Sequence, residues 1–177
     1  MDFDSVIKKR RSVHSFKNKE VSWRDICKAI ESARNIPLAG NHNTINYTIV
    51  RERKAINDIA ECAEQDWIND VNILVVVSSD EKILEKLYDE RGRIYSRQQA
   101  GAAIHSFLLK LVDLGLSACW VGSFNDNRMR RILEIPPHIQ VEAIIPIGYE
   151  KLKTPVKKKK DLEIVTSWEK WNQKRIH

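Results

Sequence analysis

Apolar positions fall into two alternating periods along this chain. Ile26, Ala29, Ile30 and Ala33 repeat with helical spacing, and Ser22 followed by Asp25 fits a capping box at the start of that helix. A shorter helix is predicted from about Asp4 to Lys9. The alternation Ile45, Tyr47, Ile49 predicts a strand, and Lys54 to Gln65 a helix. The β-branched run from Asn72 to Ser78 predicts a strand buried on both faces, followed by a helix over Lys82 to Asp89. The strongest helical pattern runs from Ser96 to Leu114, opened by a second capping box, Ser96 with Gln99. Ala100, Ala103, Ile104, Phe107, Leu108, Leu111 and Val112, with Ala102 and Leu109, surround most of its circumference, so it should be central and require a partner subunit to cover it. Gly115 fits the position just past its end. A short strand over Ser117 to Val121, a helix over Asn127 to Glu134 capped by Asn125 or Asp126, and a strand over Val141 to Ile147 ending at Gly148 complete the pattern.

Between these elements, Pro37, Gly40, Asn41 and Asn43 mark the span from Asn35 to Thr44 as an irregular polar loop, a place where binding groups are commonly presented. The tail from Lys151 to His177 has no domain pattern of its own. Ile164, Val165, Trp168 and Trp171 make it too apolar to float free, and a second copy of the chain is a natural surface for it.

The composition fits one domain spanning 1–177: 42% of residues are hydrophobic and 31% charged. The apolar run Ile73 to Val77 falls far short of the roughly 18 residues of a spanning helix, so no membrane association is expected. The start of the chain lacks the apolar core of a secretory signal, which predicts a cytoplasmic protein. Cys27, Cys62 and Cys119 are widely spaced and read as buried reduced thiols. His14, His42, His105, His138 and His177 have no metal-ligand spacing and read as surface or hydrogen-bonded side chains. A net charge of +6 implies attraction to anions. The positive charge gathers at Lys8 to Arg11 and at Lys157 to Lys160, two clusters that would form one anion pocket if the fold joins them. Aromatic residues do not interleave with these lysines as stacking on single strands requires, so nucleic acid is not an expected partner.

Neither a Gly-x-Gly-x-x-Gly turn nor a P-loop is present, which argues against Rossmann and P-loop enzymes. In their place Arg10, Arg11 and Ser12 set two guanidinium groups beside a hydroxyl, a combination suited to a phosphate. Four blocks, in order, resemble the FMN-dependent nitroreductase family: Arg10-Arg11-Ser12-Val13-His14-Ser15-Phe16, Pro37-Leu38-Ala39-Gly40-Asn41, Gly115-Leu116-Ser117-Ala118-Cys119-Trp120-Val121-Gly122, and Pro146 to Tyr149. Lys157 and Lys159 take the place of a later basic pair.

The resemblance implies an α+β three-layer sandwich, a small mixed and mainly antiparallel sheet flanked by helices, in an intertwined homodimer with FMN at the subunit interface. Residues 151–177 would form an arm on the partner, with Leu162 to Trp171 adding a strand to its sheet. By position, Arg10 and Ser12 would hold the FMN phosphate or ribityl chain, with Arg11 nearby and Lys157 and Lys159 completing the pocket. Pro37, Leu38, Ala39, Gly40 and Asn41 would reach the flavin from the partner, and Gln65 from the same subunit. Val121, Gly122 and Ser123 would present backbone groups near the flavin N5 edge.

No protein nucleophile is implied, because flavin N5 carries the chemistry. The implied activity is a ping-pong transfer of electrons from NADH or NADPH to a small conjugated acceptor such as a nitro compound or a quinone. His14 stands where the family usually has arginine or lysine, so flavin reduction is expected to depend on pH near neutrality. Leu38, Asn43, Thr44 and Ile45 also depart from the common pattern, which bears on acceptor preference. The segment Tyr88 to Arg97 and Trp67 are candidates for the acceptor-side wall or for core. Two alternatives share these residues: another flavin chemistry, dehalogenation or flavin cleavage, or a non-catalytic flavin- or anion-binding module.

Overall fold

The computed structural model describes residues 1–174, so His177 and the end of the tail lie outside them. The chain folds around its most apolar strand. β2 (Ile73–Asp80) pairs antiparallel with β1 (Ile45–Val50) and with β4 (Ile139–Gly148), and β4 pairs with the short β3 (Ser117–Ala118). Side chains alternate across a strand, so Ile73, Val75 and Val77 point to one layer, and Leu74 and Val76 to the other. All five are fully buried, each contributing about 1.5–3 kcal/mol relative to exposure. The first set packs with α2 (Trp23–Ala33) and α5 (Glu90–Asp113), the second with α3 (Arg53–Cys62) and α6 (Asp126–Ile132). This is the expected three-layer α+β sandwich. Parallel pairing among the described residues is confined to a bridge between Ser12 and Ala118.

Helix ends account for most departures from the pattern. α5 begins at Glu90, directly after α4 (Lys82–Tyr88), and not at Ser96. Ser96 is no cap: it lies inside the helix, fully buried, with its hydroxyl 3.2 Å from that of Thr44. Ser22 occupies the N-cap of α2, but its side chain makes no capping bond, and Asp25 pairs with Lys28 at 2.9 Å instead of closing a box. Asn125 caps α6 by accepting from the Arg128 amide at 2.9 Å. α3 stops at Cys62 because Glu64 turns left-handed, φ 54, leaving Gln65 to start a 3-10 turn over Asp66–Asp70.

Past α5, Gly115 takes φ 78 while its amide donates to the Val112 carbonyl and the Leu116 amide to that of Leu111. This paired closure turns the chain directly into β3. The strand expected through Val121 stops at Ala118: the Cys119 amide still donates to the Pro146 carbonyl at 3.3 Å, but the next bridge to β4 comes only at Val121 with Ile144. Of the three cysteines expected to be buried, Cys62 and Cys119 are, whereas Cys27 is exposed on α2, where it falls on the solvent side of the helix. No helix among the described residues is long and apolar enough to cross a membrane.

Candidate functional site

α1 (Phe3–Lys9) ends where the Arg10 amide donates to the Val6 carbonyl at 3.0 Å. From there Val13 and Phe16 are buried, and the alternation turns Ser12 and His14 outward. The Val13 amide donates to the Ala118 carbonyl at 3.2 Å, fixing this segment beside β3. One step past β3, the Cys119 sulfur lies 3.1 Å from His14 Nε2. The His14 ring stacks on Trp67, centroids 4.6 Å apart, and Trp67 Nε1 donates to Gln65 Oε1 at 2.8 Å. Three segments remote in sequence, Arg10 to His14, Gln65 to Trp67 and Ala118 to Cys119, therefore meet at one edge of the sheet.

The chemistry of this edge suits an anion. Arg10 is half-buried, and no carboxylate pairs with it among the described residues. Arg11 turns back over α1, its Nη1 donating to the Lys8 carbonyl at 2.5 Å and to that of Arg10 at 2.8 Å, where a cation complements the helix C-terminus. Gly122 and Ser123 are exposed, and among the described residues their amides have no hydrogen-bond partner. A Cβ built on Gly122 meets nothing within 4 Å, so this backbone borders open space. Val121 departs from the expectation for it: its amide donates to the Ile144 carbonyl at 2.9 Å, and its carbonyl accepts from the Ile144 amide at 3.0 Å. Its backbone groups are engaged in the sheet, unlike the Gly122 and Ser123 amides, which have no partner among the described residues. An unpaired guanidinium, a hydroxyl and two unpartnered amides are the groups a phosphorylated cofactor such as FMN requires.

The loop Pro37 to Asn41 lies apart from this edge, and among the described residues no hydrogen bond or ring contact joins the two. Gln99 on α5 clamps the loop: its Oε1 accepts from the Ala39 amide at 2.6 Å, and its Nε2 donates to the His42 carbonyl at 3.3 Å and to Thr44 Oγ1 at 3.1 Å. Gly40 and Asn41 take φ 55 and 60, and the Tyr88 hydroxyl lies against Gly40, where a Cβ would come within 2.7 Å of it. A cavity of about 370 Å³ opens between Pro37, Leu38, Ala39 and the α5 residues Tyr95, Gln98 and Ala102. Gln99→Leu keeps the bulk but strips the Ala39 amide of its acceptor, with an expected cost of about 1–3 kcal/mol and faster amide exchange over 39–42. Denaturant unfolding and hydrogen exchange measure both.

Lys157 and Lys159 are exposed on an irregular stretch. That stretch starts beside the site: the Lys151 amide donates to the Ser15 carbonyl at 2.9 Å, and Phe16 bridges Glu150. Further on, Leu162–Val165 forms a single helical turn, α7, where a strand is expected. Local bonds satisfy it, with the Ile164 amide on Asp161 and the Thr166 hydroxyl on Leu162. The pattern of hydrophobic and polar positions carries no sign of the Cys119–His14 contact. The one signal for the clamp was two polar residues, Ser96 and Gln99, on an otherwise apolar helix.

Known proteins share this arrangement over nearly its whole length. A candidate NADH dehydrogenase/NAD(P)H nitroreductase of Archaeoglobus fulgidus is 28% identical over 151 residues, covering 82% of this chain and 84% of that protein. The crystal structure of a nitroreductase family protein from Clostridium novyi NT, 26% identical, superposes with a TM-score of 0.78 over 98% of this chain and 97% of its own. An FMN-dependent nitroreductase of Clostridium difficile R20291, 21% identical, shares the fold with a TM-score of 0.80 over 94% and 98% of the two chains. The sequence profile described as the Nitroreductase family matches residues 57–149, which hold β2, α5, β3 and the Trp120–Gly122 block of the site. The chain that assembles this edge is thus a member of the nitroreductase family of oxidoreductases.

Proposed function

We propose that the protein is an FMN-dependent oxidoreductase, active as a homodimer, that takes electrons from NADH or NADPH and delivers them to a small conjugated acceptor such as a nitro compound or a quinone. The observation that carries this reading is the unpaired Arg10 guanidinium two residues before the bridge that joins Ser12 to Ala118, on the segment whose continuation carries the free amides of Gly122 and Ser123. FMN, when bound, supplies the two-electron carrier between nicotinamide and acceptor. Arg10 and Ser12 hold its phosphate end, and the Gly122 and Ser123 amides donate toward the ring. His14, stacked on Trp67, supplies an imidazole beside them. With no protein nucleophile required, the chain's part is to bind, orient and exclude water. Lys157 and Lys159 add positive charge from the tail.

The dimer reading draws on the surface left uncovered. Trp171 is 90% exposed, and Leu152, Val156, Leu162, Ile164 and Val165 are also exposed, more apolar area than a free tail tolerates. A second copy that covers it also brings its own Pro37 to Asn41 loop toward Arg10, which explains why the two halves of the expected site lie apart within one chain. Initial rates for the FMN-loaded protein, with nicotinamide and a quinone varied together, are expected to give parallel double-reciprocal lines. Intersecting lines reject the ping-pong scheme, and absence of turnover with every nitro and quinone acceptor rejects the substrate class.

A further inference from the structure

The contact between Cys119 and His14 is unexplained by the reading above. Such a pair forms an ion pair only if Cys119 is a thiolate; as a thiol beside the uncharged ring it can be bonded in either direction. Burial pushes the Cys119 thiol up to about 11, an effect only partly offset by the nearby Ser12 hydroxyl and the charge of Arg10, so the thiol form prevails. Two neutral arrangements remain. Sulfur is a weak acceptor, and the buried Cys119 S–H has no hydrogen-bond acceptor other than His14 among the described residues, whereas an unprotonated imidazole nitrogen is a strong acceptor. The direction Cys119 S–H to His14 Nε2 therefore satisfies both groups.

We propose that Cys119 is a positioning residue for His14: its S–H donates to Nε2 across 3.1 Å, which places the ring proton on Nδ1 and, with Trp67 against one face, holds the ring in a single plane. Gln65 extends the arrangement by fixing the Trp67 indole. The donor His14 can offer a ligand is then Nδ1–H. On the proposed FMN reading, this oriented Nδ1–H is the donor presented where the resemblance leads one to expect a cation. The tautomer itself does not depend on that reading.

Long-range nitrogen–proton NMR correlations of the imidazole rings in the full-length, cofactor-free protein test it, with His14 identified by the signal lost in His14→Asn. In the wild type, His14 Nε2 is expected at the position of an unprotonated nitrogen and Nδ1 at that of a protonated one. Cys119→Ala should move the proton to Nε2, and Cys119→Ser, which keeps a hydroxyl donor, should restore the wild-type pattern at least in part. A protonated Nε2 in the neutral ring of the wild type overturns the proposal, as does an identical pattern in a folded Cys119→Ala. Rapid alkylation of Cys119 by iodoacetamide in the folded protein near pH 7 also overturns it, because that requires a thiolate. Repeating the spectrum with FMN separates the two readings: the expected tautomer without any FMN binding sinks the cofactor assignment and leaves the role of Cys119 standing.

Discussion

Replacing Arg10 with alanine is expected to weaken FMN binding by about tenfold to a hundredfold while leaving the fold intact. A charge-assisted hydrogen bond contributes about 1.5–3 kcal/mol, and each 1.4 kcal/mol is a factor of ten in affinity. Arg10 is the guanidinium with the most to lose, being half-buried and without a carboxylate among the described residues to share it. Its neighbour provides the control. Arg11 already bonds the carbonyls of Lys8 and Arg10, so Arg11→Ala should fray the end of α1 and reduce FMN affinity far less. Titration by quenching of flavin fluorescence at fixed ionic strength measures both. Equal FMN affinity in wild type and folded Arg10→Ala would remove Arg10 from the phosphate site.

Gly92→Ala is expected to destabilise the protein by roughly 3 kcal/mol or more, among the largest losses a single methyl group can cause. Alanine favours a helix over glycine by about 1 kcal/mol, so intrinsic propensity predicts the opposite sign. Packing decides it: a Cβ at Gly92 would come within 2.2 Å of the carbonyl carbon and oxygen of Leu84. Both belong to the backbone of α4, so no side chain can rotate away, and the two helices must move apart. Asp89, at φ 51, is the single residue linking them and leaves little slack. The midpoint of urea unfolding reads the effect directly, and a midpoint equal to that of wild type would mean that α4 and α5 are not pressed together as described.

Much of this fold is legible in the sequence because period and burial coincide. The Ile73 to Val77 run is apolar at every position, and such a run in a short strand fits only the middle of a sandwich. Gly115 likewise marks the end of α5 because a left-handed position there favours glycine. The start of α5 is not legible, since Ser96 and Gln99 imitate a capping box while their polar atoms serve a tertiary purpose, the clamp on Ala39, His42 and Thr44. Local chemistry alone cannot distinguish a serine that caps a helix from one that joins it to a distant loop.

The site divides in the same way. Arg10, Ser12 and Gly122 stand out because charge and backbone freedom are visible in a residue's identity. The Cys119–His14 contact is not, because it arises only when β3 draws Ala118 beside Ser12. The arm shows a further limit: an apolar tail indicates that something covers it, but not the backbone form it takes, and α7 turns the Ile164 amide back onto the Asp161 carbonyl.

The central claim is that this chain binds FMN and that a nicotinamide reduces it there. The most direct measurement is the visible absorption spectrum of the protein after FMN is added and the excess removed, recorded anaerobically before and after NADH or NADPH. The account predicts a retained flavin spectrum that bleaches on adding the nicotinamide and returns on adding a quinone. A folded protein that retains no flavin, or retains one that neither nicotinamide bleaches, would contradict it.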